Sequence, residues 1–215
     1  MLVPECYTSV VLLTDAPLSF QEFKVHEPLP LATVFREALA FLTRRRDAAL
    51  FGAHAVNAYA ATERMTKDVD VLSTDARQLA EDLRAHLARK FKIAVRVRDV
   101  AGGRGLRVYQ VRKPKNRHLI DVRQVDELPH VRVVGGVQVV APADLVAMKV
   151  VSAVARSNEE KGLSDRLDLH RLLNRFPKLR TDGAVDAILR EASPTARVAW
   201  QTISKERLDP GRDDW

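Results

Sequence analysis

Cysteine is almost absent. Cys6 stands alone among 215 residues, so no disulfide can form within the chain and no zinc site built from several thiolates is open to it. Long apolar runs are missing as well. Near the start the longest, Val10 to Leu13, falls far short of the roughly 20 residues that a membrane-spanning helix needs. No basic flank marks it as a signal peptide, so a cytoplasmic protein with no membrane partner is the expectation. Neither an internal repeat nor a low-complexity stretch interrupts the sequence. What is there is ordinary for a globular chain, with 46% hydrophobic and 29% charged residues, which argues against disorder along the whole length. The net charge of +7 and the pI near 9.8 favour an anionic partner, for which a nucleotide, a tRNA or an acidic protein would all serve.

The most informative residues are Asp68, Val69 and Asp70, which close the stretch LFGAHAVNAYAATERMTKDVDVLS. Read as a strand, this segment sends Asp68 and Asp70 to one face and Val69 and Val71 into a core. Two like charges held together in this way call for a cation, and a hard divalent ion such as Mg²⁺ bound with nucleotide phosphates meets that need. A bare pair of acids at a solvated strand end is the plainer alternative. Upstream, Ala48 to Phe51 is a short apolar run stopped at Gly52, and AHAVNAYAA has the alanine content of a helix. Strand, glycine turn and helix N-terminus in succession make a place where backbone N–H groups can meet a phosphate. Downstream, HLIDVRQV reads as another strand carrying Asp121, whose plainer reading is an ion pair with Arg123 or Arg117; by alternation Asp121 is expected to face with Leu119 and Arg123.

The rest of the chain predicts a mixed α/β sheet followed by helices. Residues 1–28 read as an N-terminal extension with a strand at Tyr7 to Thr14, residues 29–141 as the core, 142–206 as a helical region and 207–215 as a tail. Leu31, Val34, Phe35, Ala38, Phe41 and Leu42 lie at helical spacing, with Arg44 to Arg46 expected to close that helix at its negative end. Asp75 is a candidate cap for a helix with Leu79, Leu83 and Leu87 along its buried stripe. FKIAVRVRDV and LRVYQVRK flank the glycine-rich turn AGGRG as a hairpin, VRVVGGVQVV reads as a second one, and Pro142 suits a first helical turn. Arg104, Arg107, Arg112, Lys113, Lys115 and Arg117, with Tyr109 among them, form a ribbon that suits an RNA backbone or simply guards a sheet edge.

Together these residues resemble the nucleotidyltransferase superfamily that shares the polymerase β fold. Its pattern is an apolar strand, a glycine turn, a helix, Asp-x-Asp on the next strand and a third carboxylate later. Gly52, the pair Asp68 and Asp70, and Asp121 match it, while Ala53 stands where the family usually has Gly or Ser. ADLVAMKVVSAVAR and LSDRLDLHRLL are similar to the second half of the AbiEii-type and MenT-type toxins of that superfamily, and Ser164 stands where relatives often have Lys. The resemblance covers about residues 47 to 176. It implies nucleotidyl transfer from an NTP to an acceptor hydroxyl, with Asp68, Asp70 and Asp121 as the catalytic carboxylates holding Mg²⁺. It further implies tRNA as acceptor, an antitoxin as partner, and nucleotide contacts from Gly52, Ala53, Arg64, Thr66, Lys149, Arg156, Asp165 and Asp168. A module that keeps the fold without catalysis, or an antibiotic nucleotidyltransferase, are the rival readings. For Lys149, Ser152 and Arg156 the plainer alternative is a surface stripe, and for Asp165 and Asp168 it is favourable charge at a helix N-terminus behind a Ser164 cap.

Overall fold

The computed structural model describes residues 29–60 and 64–207. Helix α1 (Leu31–Leu42) leads into strand β1 (Ala48–Phe51), and helix α2 (Gly52–Tyr59) follows without a gap. Strand β2 (Val69–Ser73), helix α3 (Ala76–Phe91) and strands β3 (Val95–Val100), β4 (Gly105–Gln110), β5 (Arg117–Gln124), β6 (Val131–Val134) and β7 (Val137–Val140) come next. Four helices complete the described chain: α4 (Pro142–Ala155), α5 (Glu160–Arg175), α6 (Ala184–Ala192) and α7 (Pro194–Ile203). The fold is the expected mixed α/β one. Its single seven-stranded sheet has the order β3-β4-β5-β2-β1-β7-β6. β2 pairs in parallel with β5 and β1 in parallel with β7, and the remaining pairs are antiparallel.

β1 has four buried residues because it lies between β2 and β7, with both faces covered. Alternation turns Val69, Val71, Ile120, Val122, Leu106 and Val108 to one face, where all six are buried. α3 packs on that face through Leu79, Leu83 and Leu87, none of which reaches solvent. Burying one such leucine contributes on the order of 2 kcal/mol. The helix starts at Asp75, whose carboxylate accepts the Gln78 N–H, and ends at Lys92 in the left-handed conformation. In the helical half, Pro142 occupies the first turn of α4, where a missing N–H costs nothing. Leu145, Val146, Leu169, Leu172, Val185, Leu189 and Trp200 join this half to the same core.

Two expectations are corrected, and a third is not tested. Arg44 to Arg46 lie beyond α1 and do not close it. Arg45 instead bridges Asp47 and Asp82, which buries its guanidinium against two carboxylates. Ser164 is not a cap, because α5 already begins at Glu160 and carries Ser164 in its interior. The strand expected at Tyr7 to Thr14 lies outside the described residues.

Candidate active site

β1 ends at Phe51, the partner of Asp70 on β2, and the chain turns into α2 at Gly52 with φ of +67°. A Cβ at Gly52 would sit 2.2 Å from Asp70 Oδ2, so only glycine lets the first turn of α2 lie against this carboxylate. Burial pushes the Asp70 carboxyl up to about 6, and the neighbouring Asp68 adds to the rise while Arg123 opposes it. Asp68 precedes the first residue of β2 and is half-buried.

Asp70 and Asp121 are direct partners in the parallel pairing of β2 with β5, and Asp121 is in turn the partner of Arg107 on β4. Arg107 donates two hydrogen bonds to Asp121, each 2.9 Å long. His118 stands 2.8 Å from Asp121 through Nε2 and 3.4 Å from Asp68 through Nδ1. Residues three apart on a regular strand face opposite ways. Here the register shifts between Val108 and Tyr109, so Leu119 is an extra residue on β5, buried, and His118 turns to the face of Asp121. That corrects the expectation that Leu119 would share the face of Asp121. Burial would raise the Asp121 carboxyl, but the hydrogen bonds from His118 and Arg107 outweigh it and hold the group far below the usual carboxylate range.

One ligand atom from each of Asp68, His118 and Asp121 falls within a 4.8 Å span, so these residues form a group that could hold a metal ion. The crowding of Asp70 against Asp68 is the unbalanced negative charge that a cation would offset. Oxygen-rich donors of this kind fit a hard divalent ion.

A cavity of about 460 Å³ opens beside Asp70. Its sheet side is made by Phe51, Gly52, Asp70 and Arg123, and its roof by Lys149, Ser152, Arg156 and Asp165 from α4 and α5. Lys149 is buried and donates to Asp165 at 2.7 Å and to Asp168 at 2.8 Å. Ser152 donates to Asp165 at 2.6 Å, and Arg156 lies 3.3 Å from the same carboxylate. Asp168 has no exposure at all, and Arg64 grips both of its oxygens at 2.8 and 2.7 Å. Burial would raise Asp168, yet Arg64 and Lys149 together lower it. At Gly162 a Cβ would meet the Arg156 carbonyl oxygen at 2.0 Å, and this close approach seats α5 against the end of α4.

The structure therefore gathers Asp68, Asp70 and Asp121 on one side of the sheet and brings Gly52, Lys149, Arg156 and Asp165 to the cavity. Arg64, Thr66, Ala53 and Asp168 do not line it. Arg64 ties the segment before Asp68 to α5, Thr66 Oγ1 is 2.6 Å from His54 Nε2, and Ala53 is buried in α2. Lys149, Ser152 and Arg156 are not a surface stripe, nor are Asp165 and Asp168 charges at a helix start, since Asp165 and Asp168 are buried in the body of α5 around a shared lysine. Sequence reasoning missed His118 and paired Asp121 with the wrong cation. A histidine three positions before an acid on a strand carried no signal without the bulge.

This sheet, with its carboxylates on adjoining strands and its helical roof, has the nucleotidyltransferase fold. No family model matches the chain, and no curated protein matches its sequence. Among solved structures it is similar to the Megavirus polyadenylate synthase, with a TM-score of 0.56 and 13% identity over 73% of this chain. It spans only 34% of that longer chain. It is also similar to an antigenic nucleotidyltransferase-like protein from Paracoccidioides brasiliensis, with a TM-score of 0.45 and 19% identity over 90% of this chain and 97% of that one. A third is the antibiotic-resistance factor ANT(2'')-Ia, with a TM-score of 0.47 and 14% identity over 79% of this chain and 90% of that one. No described helix is long and apolar enough to cross a membrane.

Proposed function

We propose that this protein is an enzyme that moves a nucleoside monophosphate from an NTP to an acceptor hydroxyl, with Mg²⁺ as its metal. The observation that carries the reading is the pairing of Asp70 with Asp121, with Asp68 beside them, at the edge of a cavity roofed by α4 and α5. In the reaction the acceptor oxygen forms a bond to the α-phosphorus, the bond from that phosphorus to the pyrophosphate oxygen breaks, pyrophosphate leaves with the electron pair, and the hydroxyl proton passes to solvent water. Mg²⁺ held by Asp68, Asp70 and Asp121 would neutralise phosphate charge. Gly52 lines the cavity at the start of α2, where backbone N–H groups would meet the phosphates. Arg123, Arg156 and Lys161 supply cations around the cavity, and the buried group of Lys149, Asp165 and Asp168 fixes the roof. Catalysis then consists chiefly of positioning and charge neutralisation.

The toxin assignment, with tRNA as acceptor and an antitoxin as partner, rests on the AbiEii-type and MenT-type resemblance. Incubating the purified chain with each labelled NTP, Mg²⁺ and total tRNA tests both levels. Label in RNA that disappears with Asp68→Ala supports transfer to tRNA, and label in a small acceptor retains the enzyme while removing the toxin. No label in any acceptor overturns the enzymatic reading. One observation favours a second reading, that of a non-catalytic module that binds RNA or an antitoxin. Arg107 already donates to both oxygens of Asp121 and so balances that carboxylate's charge without a metal.

A further inference from the structure

The cavity covers only one flank of the carboxylates. On the other flank β4 and β3 continue the sheet beyond β5 as a wing, and α3 packs on one face of it. Among the described helices only α3 packs extensively on β3 and β4, and the opposite face carries exposed side chains. Register decides which side chains stand there. Arg98 is the partner of Arg107, and Arg107 of Asp121, so all three share the open face. Arg96 is the partner of Tyr109, two residues further along the same strands and again on that face. Arg96 and Arg98 are both exposed, and neither has a carboxylate partner among the described residues. The Arg98 guanidinium lies 5.6 Å from the centre of the Tyr109 ring. Asp99, the one acid of β3, turns the other way and is held by Arg77 of α3. Beyond Tyr109 the connection to β5 exposes Arg112, Lys113 and Lys115, and Arg117 then leads directly to His118.

Cations therefore accumulate on the side of the carboxylates away from the cavity, around one aromatic ring. A small hydroxyl acceptor needs no such track. A polymer with one negative charge per residue and flat bases does, since guanidinium groups can follow its phosphates while an aromatic ring stacks on a base. We propose that the open face of β3 and β4 binds the 3′-terminal segment of a single-stranded polynucleotide. Its phosphodiesters meet Arg96, Arg98 and the cations of the 111–116 connection, a base stacks on Tyr109, and the terminal hydroxyl reaches the carboxylates. Only this last clause rests on the transfer reading.

Binding is measured on the full chain without NTP or metal, and in parallel with Asp68→Ala, so that its outcome is independent of catalysis. The probes are matched fluorescent ribo- and deoxyribo-oligonucleotides of about ten residues, followed by anisotropy across a salt series, and their comparison tells which sugar the face takes. Arg96→Glu together with Arg98→Glu should weaken binding at least about 30-fold and flatten the slope of log affinity against log salt by about 1.4, at roughly 0.7 for each phosphate no longer neutralised. Tyr109→Ala should weaken it about 10-fold and leave the slope unchanged. Arg132→Glu with Arg175→Glu, at the Phe176 ring near the far edge of the sheet, should stay within about twofold of the parent. Arg96→Ala with Arg98→Ala serves should the charge reversal misfold, and predicts a smaller loss of the same sign. The proposal is overturned by a wild-type chain that binds neither oligonucleotide at low salt, by parental affinity in the folded Arg96 and Arg98 variants, or by a loss confined to the Arg132 and Arg175 variant.

Discussion

Arg64 and Asp168 are separated by 104 positions in the chain and joined by two hydrogen bonds of 2.8 and 2.7 Å. The pair fixes the segment just before Asp68 to a helix of the C-terminal half. Lys149 binds the same carboxylate from α4, so one buried acid holds two cations drawn from different parts of the fold.

Asp168→Asn should therefore be severe. It leaves Lys149 and Arg64 short of a counter-charge in a dry environment, a loss of about 3 to 5 kcal/mol by urea denaturation. The Asp168 carboxyl lies below its ordinary value in the folded state. Its contribution is thus present above the usual carboxylate range and fades as pH falls through it, a dependence that the variant should lack.

Asp70 has the opposite sign. Its folded value of about 6 lies above the ordinary 3.8, so the metal-free native state holds this proton more tightly than the unfolded chain. Stability from this group is fully present below about pH 4 and declines as pH rises toward about 6. Asp70→Asn should raise the stability of the metal-free protein at neutral pH by about 1 to 3 kcal/mol and abolish transfer. Mg²⁺ should stabilise the parent more than the variant, as read by thermal melts with and without the ion.

Gly52→Ala should be damaging out of proportion to one methyl group. The added carbon falls 2.2 Å from Asp70 Oδ2, and the residue keeps a φ of +67°. We expect a stability loss of about 1 to 3 kcal/mol and a drop in kcat of about 100-fold as the carboxylate is displaced. A crystal structure of the variant would read the displacement directly.

Arg107→Ala should free Asp121. Removing two hydrogen bonds of 2.9 Å leaves the carboxylate open to a cation, so Mn²⁺ should bind roughly 10-fold more tightly by titration calorimetry, equivalent to about 1.4 kcal/mol. Unchanged or weaker Mn²⁺ affinity would remove Asp121 from the metal group.

The readable part of the site was its local part. Phe51, Gly52 and the start of α2 follow from a short apolar run, a glycine and an alanine-rich stretch, and the Asp75 cap follows from its own side chain. The two hairpins follow from alternation and glycine turns. What escaped was set by register and distance. The bulge at Leu119 swings His118 toward Asp121, and no sequence period encodes that skipped step. Arg107 meets Asp121 only because β4 and β5 pair in one register out of several. The start of α5 at Glu160 escaped because Glu159 caps it through no side-chain hydrogen bond. The alternative reading of Asp165 and Asp168 as terminal charges could be set aside only once packing buried them around Lys149.

Because Arg64 closes on Asp168, the segment carrying Asp68 depends on a residue that lies more than a hundred positions later. A fragment ending before α5 could retain every strand of the sheet and still lose the order of its own acidic loop. The two halves of this chain are thus poor candidates for exchange with those of a distant cousin, unless both ends of the clasp travel together.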